Sequence, residues 1–505
     1  MKHTITTKME TFYVTTPIYY VSGKPHLGHA YTSIACDAIA RWQRIKQKKV
    51  FFLTGTDEHG QKIANKAKEK EMSEKEFVDS LIPMFKNLNE TLQLSHDFFI
   101  RTTDEYHKKF VQKMLQKAYD KGDIYKANYE GLYCVDCEKY YDEKDLIDGK
   151  VCPDHKRPVQ KMSEENYFFK LSKYQEKLLE LYENNPEFLS PKKISLETIN
   201  RVKEGLKDIS ISRRKETLTW GIELPFDKGH VTYVWFDALF NYISGLEHTS
   251  NMEQWPANIH VVGKDINWFH SVYWPAFLTS TGYELPKKIF AHGWWTVEGE
   301  KMGKSMNNVL EPIKIIKEFG LDEFKYYVLT VGRFGEDKNF SKEELIERIN
   351  SELNNSLGNL VSRTKGMIKK YFEGELECNN SLREIEQNLI KKSNINKDFE
   401  KHMNELNFQE AIRTVFKFIN EVNAYVDEVK PWKEENEDNK KIILTTLVSS
   451  IKLISTYLEF IMPNKTKLMR QTFNLDNNYD LEMKILEGNI KINEEIKQVF
   501  TKIEI

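Results

Sequence analysis

The 505-residue chain is short of cysteine, of net charge and of long apolar runs, and each shortage excludes a class of protein. Five cysteines in a chain of this length do not make a disulfide scaffold. Lys and Arg number 74 against 76 Asp and Glu, a net charge of −2, so any nucleic-acid binding needs locally concentrated cations. No apolar run reaches the length of a membrane span. The richest stretch, "IILTTLVSSIKLISTYLEFIM" at 442–462, contains Lys452 and Glu459. Its Leu447, Ile451, Ile454, Leu458 and Ile461 recur at helical spacing, which predicts a core-facing helix. The opening "MKHTITTKME" lacks the apolar core of a signal peptide, and no internal repeat is visible. A cytoplasmic, reduced protein without a membrane segment is the expectation. The 40% apolar content supplies sizeable cores, and the length predicts two to four domains.

Residues 11–16 read as a buried strand and 29–46 as a helix. "VFFLTGTDEHG" at 50–60 reads as a second strand ending in a polar loop, and roughly 60–93 as helical. Strands alternating with helices predict a parallel α/β sheet. From about 122 the spacing turns irregular, Tyr-rich and cysteine-bearing, as in a small insertion. The alternating pattern returns with "VTYVWFDALFNYI" (231–243), "NIHVVGKDINWFH" (258–270) and "KIFAHGWWTVEGEKMGKSMNN" (288–308). Beyond about 345 strand signals vanish and helices are predicted. The charged "KEENEDNKK" at 433–441 reads as a solvated helix surface or loop.

Three motifs carry chemistry. The first is "PHLGHA" at 25–30, between strand-like and helix-like sequence. At such a junction the backbone N–H groups and dipole of the helix start favour an anion. Gly28 lets a flat ligand approach the backbone, and His26 and His29 add donors for phosphate oxygens. In isolation, a pair of structural histidines at a helix cap is the better explanation of the motif. The second is "EKMGKS" at 300–305, which lacks P-loop spacing because only three residues separate Gly299 from Gly303. It reads as a polar loop whose Lys301 and Lys304 can offset charge on a leaving pyrophosphate, or as a plain solvated basic loop. The third is Cys134-x2-Cys137-x14-Cys152-x2-His155, with "DGK" (148–150) as a turn between the halves. Four such ligands close a tetrahedron around a structural Zn2+; unliganded thiols or a redox C-x-x-C are the alternatives. Cys36 and Cys378 are left over as packing residues.

An H-x-G-H after the first strand and a K-M-x-K-S some 275 residues later form the paired signature of class I aminoacyl-tRNA synthetases. "FYVTTPIYYVSGKPHLGHAYT", "FLTGTDEHG", "YVWFDALFNYI", "VVGKDINWFHSVYWPA" and "HGWWTVEGEKMGKSMNN" resemble the methionyl-tRNA synthetase family in order and spacing, over roughly 10–340 and more weakly to the end. The resemblance implies an α/β fold. A Rossmann-type parallel-sheet catalytic domain (1–116 and 229–344) is split by a zinc-ribbon-like connecting insertion (117–228). A C-terminal all-α helical-bundle anticodon-binding domain (345–505) follows. It implies attachment of L-methionine to tRNA(Met), initiator and elongator, through methionyl-adenylate, using ATP with Mg2+.

The residue roles follow the same resemblance. His26, His29, Lys301 and Lys304 stabilise the phosphates, with Gly28, Gly263 and Asp265 also on ATP. Ile18, Tyr20, Asp57, Trp235, Ala238, Leu239, Tyr242, Ile266 and His270 line the methionine pocket. Aromatic rings suit a polarisable thioether, and Asp57 suits an ammonium. Cys134, Cys137, Cys152 and His155 match a single-knuckle zinc subgroup. Asn359, Arg363 and Trp432 match anticodon readers, with aromatics stacking bases and polar groups reading edges. The chain departs from the family in having Gly303 where Ser is common and in lacking a C-terminal β-barrel module, which implies a monomer. Two rivals are set aside on the residues. The isoleucyl, valyl and leucyl enzymes carry a larger insertion than the roughly 110 residues present here, and the cysteinyl enzyme needs a Cys where Thr16 stands. A non-enzymatic zinc-ribbon RNA-binding protein leaves both phosphate motifs idle.

Overall fold

The structure is a computed structural model that describes residues 9–136, 139–141, 143–154, 156–297, 300, 301 and 310–504. The chain forms two compact units, Met1–Ala40 with Gln47–Gly293, and Arg41–Lys46 with Trp294–Ile505.

The first unit is built on a seven-stranded parallel sheet. Its strands are β1 (Thr11–Thr15), β2 (Tyr19–Tyr20), β3 (Lys49–Asp57), β4 (Phe98–Arg101), β5 (Leu189–Ser190), β6 (Ile259–Gly263) and β7 (Ile289–His292). The order is β2–β3–β1–β6–β7–β5, with β4 also pairing with β3, and every pairing is parallel. Such a sheet is covered on both faces, which is why β3 is apolar rather than alternating and is buried from Phe51 onward. Helix α1 (Leu27–Ile45) begins two residues earlier than the periodicity predicts. The short β2, which the sequence did not signal, intervenes between β1 and α1.

The expected helical stretch 60–93 is two helices, Gln61–Glu69 and Glu74–Thr91. Glu71 takes a left-handed backbone (φ 55), and Ser73 with Glu76 forms a reciprocal capping box that starts the second helix. Two antiparallel sheets interrupt the parallel one in sequence. Four strands, Lys139–Tyr141, Ile124–Cys134, Gln160–Phe169 and Ile209–Ser210, make the first. Ser212–Arg214, Asp227–Thr232 and Glu223–Leu224 make the second. The "DGK" segment is a turn, with positive φ at Asp148 and Gly149.

The second unit is mainly helical. A small sheet of Trp295–Val297, Glu300–Lys301 and Lys338–Phe340 comes first. Its long helices include Asn359–Phe372, Phe408–Val429 and Glu437–Leu458. The last is long and apolar enough to cross a membrane, but 89% of its most apolar window is buried. From Ile442 to Leu458 every residue except Lys452 is buried, so it is the core helix of this unit. Ile349, Leu353, Leu357 and Leu360 are all buried, as their spacing predicts. One strand pair, Glu375–Glu377 with Asn489–Lys491, lies where no strand is predicted. Its halves are over a hundred residues apart, so no local pattern announces it.

Candidate active site

The site begins where the sheet order reverses. β1 has β3 on one side and β6 on the other, and the loops leaving the carboxyl ends of β1 and β6 flank a topological switch point. From β1 the chain passes through β2 to the start of α1, where His26, Gly28 and His29 stand, all half-buried. The His29 Nδ1 accepts from the His26 backbone N–H at 3.0 Å, and the His26 Nδ1 accepts from the Gly28 N–H at 3.1 Å. An acceptor Nδ1 puts the ring proton on Nε2, so both imidazoles are Nε2–H donors. Their ring centroids are 3.9 Å apart. A Cβ on Gly28 would lie 2.9 Å from the His26 Cε1, so only glycine admits this arrangement. Tyr19 and Phe85 hold the His29 ring edge-on, with centroids at 4.8 and 5.7 Å. The Thr32 hydroxyl reaches the His292 Nε2 at 2.7 Å and ties the first turns of α1 to the end of β7.

The loop after β6 carries Gly263 and Asp265. A Cβ on Gly263 would lie 2.4 Å from the Asp265 Oδ1, so the carboxylate folds back over that glycine. The Ile266 N–H closes the turn on the Gly263 carbonyl at 3.1 Å.

The residues expected around methionine assemble in one place. Ile18, Tyr20, Trp235 and Ile266 pack against a core cluster that includes Leu239 and Tyr242. Asp57, the last residue of β3, is only 5% exposed, and Ala238 and His270 are buried. Trp235 stacks on Phe269 at 3.7 Å and meets His270 edge-on at 6.3 Å. The His270 Nδ1–H donates to the Ile266 carbonyl at 3.0 Å, which leaves Nε2 to accept from the Tyr242 hydroxyl at 2.7 Å. Burial pushes His270 down to about 4 and holds the Tyr242 phenol well above its ordinary range. Nearby His260 is likewise driven well below the usual imidazole value by burial.

A pH dependence follows. Between about pH 6.5 and 4 the unfolded chain binds a proton at His270 that the folded chain refuses, so stability is lost as pH falls through that window. This residue alone makes the protein about 2 kcal/mol less stable at pH 5 than at pH 7. Urea unfolding at the two pH values measures the difference, and His270→Gln should flatten it. An equal slope in that variant argues against the assignment.

A buried polar network centres on Asp237, the neighbour of Ala238 in the chain. The Asp237 carboxylate, fully buried, accepts from the His59 Nδ1–H at 2.6 Å and the His107 Nε2–H at 2.8 Å. His107 reaches the Ser244 hydroxyl at 2.7 Å through its other nitrogen. Burial opposes ionisation of Asp237, but the attraction of His59 and the hydrogen bonds from both rings outweigh it and hold the carboxyl below its ordinary range. The bridge joins the loop that follows Asp57 to the helix Val234–Leu239 that carries Trp235 and Ala238. His59 and Asp237 stand inside "TGTDEHG" and "YVWFDALFNYI" and could have been singled out; His107 has no local signal.

The remaining expected residues divide. Lys301 ends the strand Glu300–Lys301 in the second unit, its backbone paired with Thr296, and Lys304 lies outside the described residues. Cys134 and Cys152 are buried in one small cluster with Tyr141 and Leu146, while Cys137 and His155 lie outside the described residues. Among the described residues no group of three or more His, Cys, Asp and Glu is placed to hold a metal ion. Cys36 is buried and donates to the Thr15 carbonyl, a packing role. In the second unit, Asn359 is exposed, and the Arg363 guanidinium sits 5.4 Å over the ring of Trp432, which is 44% exposed.

A family model described as "tRNA synthetases class I (M)" matches residues 12–162 and 141–365, and one for the "Anticodon-binding domain of tRNA ligase" matches 388–500. The chain is 45% identical over 509 residues to the methionine--tRNA ligase of Caldanaerobacter subterraneus subsp. tengcongensis, covering 98% of this chain and 79% of that one. This chain belongs to the methionyl-tRNA synthetase family. The Rickettsia bellii methionine--tRNA ligase is 44% identical over 469 residues, with 91% and 92% covered. Among solved structures, the Mycobacterium tuberculosis methionyl-tRNA synthetase in complex with methionyl-adenylate superposes with a TM-score of 0.92 at 34% identity, covering 97% of this chain and all of that one. The apo form of that enzyme gives 0.86 at 32% identity. The Rossmann-type parallel core and the anticodon-binding helical region are therefore those of this class I family.

Proposed function

We propose that this enzyme joins L-methionine to tRNA(Met), initiator and elongator alike, by way of methionyl-adenylate. The methionine carboxylate attacks the α-phosphorus of ATP in line, and pyrophosphate leaves. The tRNA 3′-terminal ribose hydroxyl then takes the methionyl group, and AMP leaves. No protein nucleophile is needed, so catalysis consists of positioning and charge stabilisation. His26 and His29 donate Nε2–H bonds to the phosphates, and Lys301 and Lys304 add positive charge as it develops on pyrophosphate. Gly28 lets the nucleotide approach the backbone, and Gly263 and Asp265 hold the ribose. Mg2+ entering with ATP would supply further charge neutralisation at the phosphates. Asp57 holds the methionine ammonium; Ile18, Tyr20, Trp235, Ala238, Leu239, Tyr242, Ile266 and His270 enclose the thioether.

The observation that carries this reading is that the two Nε2–H imidazoles stand at the start of α1, reached from β1 by way of β2, while the Gly263–Asp265 turn follows β6, the neighbour of β1 at the switch point. ATP–pyrophosphate exchange against a panel of amino acids tests it. Exchange with methionine alone is the expected result; exchange with another amino acid, or none, refutes it.

Residues 1–116 and 229–344 serve as the catalytic domain, 117–228 as the connecting insertion, and 345–505 as the anticodon-binding domain, where Asn359, Arg363 and Trp432 read unpaired bases. Cys134, Cys137, Cys152 and His155 hold one structural Zn2+. Supporting this, Cys134 and Cys152 are both buried in a cluster too small to be stable on hydrophobic contacts alone. Elemental analysis of purified protein should find one zinc per chain, lost in Cys134→Ser with Cys152→Ser. Full activity and stability in a zinc-free preparation would count against the site. The working compartment is the cytoplasm, where tRNA and ATP are at hand.

A further inference from the structure

The helix Asn359–Phe372 aligns four residues along one line. Asn359, Arg363, Gly366 and Lys370 fall within a narrow arc at 3.6 residues per turn and span about 16 Å at 1.5 Å per residue. Gly366 is the unexpected member. It is exposed in the helix interior, and a Cβ there would meet nothing within 4 Å. Glycine in a helix interior is unfavourable relative to alanine, and here the fold makes no use of the missing side chain. Gly366 thus leaves the helix backbone bare to solvent on this face.

The two ends of the line are equipped differently. At one end Arg363 lies over exposed Trp432. Its contact with Asp427, at 3.6 Å and solvent-exposed, offsets little of its charge. At the other end two ammonium groups from separate helices converge on one ring. Lys370 and Lys440 lie 5.2 and 5.0 Å from the centre of Tyr371. Among the described residues no carboxylate lies within ion-pair distance of either. Their sequence neighbours are paired: Lys369 with Glu494, and Lys441 with Glu377 and Glu437. The helix Asn359–Phe372 carries Arg363, Lys365, Lys369 and Lys370 and no acidic residue, the kind of local positive surplus an RNA backbone requires in a chain of net charge −2, while Glu437 and Asp438 stand in the turn before Lys440.

We propose that Gly366, Lys370 and Lys440 form a track for the sugar-phosphate backbone of the tRNA, running on from the anticodon-reading residues. The backbone passes against the bare helix at Gly366, and Lys370 and Lys440 hold phosphates, with Tyr371 fixing both ammonium groups. The proposal rests on the reading of Asn359, Arg363 and Trp432 as anticodon contacts.

The test compares three full-length variants, measuring aminoacylation of tRNA(Met) transcript relative to pyrophosphate exchange by the same preparation. Lys370→Glu with Lys440→Glu should lower the normalised kcat/KM for tRNA about 10-fold and reduce the slope of log affinity against log salt by about 2. Gly366→Ala should raise Tm by roughly 1–3 °C yet lower the normalised kcat/KM for tRNA several-fold, a combination that no loss of folding produces. Trp432→Ala separates the two levels of the argument. If it lowers tRNA use while the lysine pair leaves both kcat/KM and the salt slope unchanged, or Gly366→Ala stabilises with tRNA use intact, the track is refuted and the anticodon reading stands. If Trp432→Ala itself leaves tRNA use unchanged, the anticodon reading fails and the track with it.

Discussion

Asp57→Ala is expected to lower kcat/KM for methionine in pyrophosphate exchange by roughly 10²- to 10³-fold. The reason is environmental. Asp57 closes β3 at 5% exposure, its backbone paired with Tyr20, which packs against the apolar and aromatic core cluster. Taking the methionine ammonium into such a place without its carboxylate partner leaves a desolvated charge, at about 2–5 kcal/mol. The loss should appear chiefly in KM for methionine, with KM for ATP nearly constant, because the phosphate-binding residues belong to other loops. Asp57→Asn keeps the shape and one acceptor and should retain more affinity than alanine. A methionine KM within threefold of the parent enzyme in the alanine variant would remove Asp57 from the ammonium site.

His29→Ala is expected to reduce kcat for exchange by about 10²- to 10³-fold, as loss of one preorganised donor to a developing charge does. The His29 ring is held in place by the His26 N–H on Nδ1 and by Tyr19 and Phe85 on its edges, so its Nε2–H does not need to reorient as the reaction proceeds. His29→Gln, whose amide N–H reaches the same position, should keep part of the rate. Methionine KM should change little in either variant. Equal losses in the alanine and glutamine variants would mean that the ring acts through packing rather than as a donor.

The candidate site residues are named from the linear order of residues alone. A glycine between two histidines at a helix start, a Gly-Lys-Asp after an apolar strand, and an acidic residue closing β3 are short-range patterns whose meaning depends on a handful of neighbours. The buried stripe Ile349–Leu360 and the core helix at 442–458 were legible for the same reason, since amphipathic periodicity is written within one element. The break at Glu71–Ser73 was also written locally, as a Ser-x-x-Glu cap, and was passed over because a long periodic stretch invites a single helix.

What the sequence by itself determined, then, is that β1, β3 and β6 are buried strands of a parallel sheet and which faces the principal helices bury. Only the tertiary structure decided which strands are neighbours, and so that the loops after β1 and β6, some 240 residues apart, flank the same switch point. It also decided the tautomers of His26, His29 and His270, the union of His59 and His107 on Asp237, and the pairing of Glu375–Glu377 with Asn489–Lys491. The physical reason is common to all of these. Periodicity and capping arise from atoms within a few residues of one another, whereas a buried proton's location and a strand's partner are settled by groups that come together only once the core excludes water.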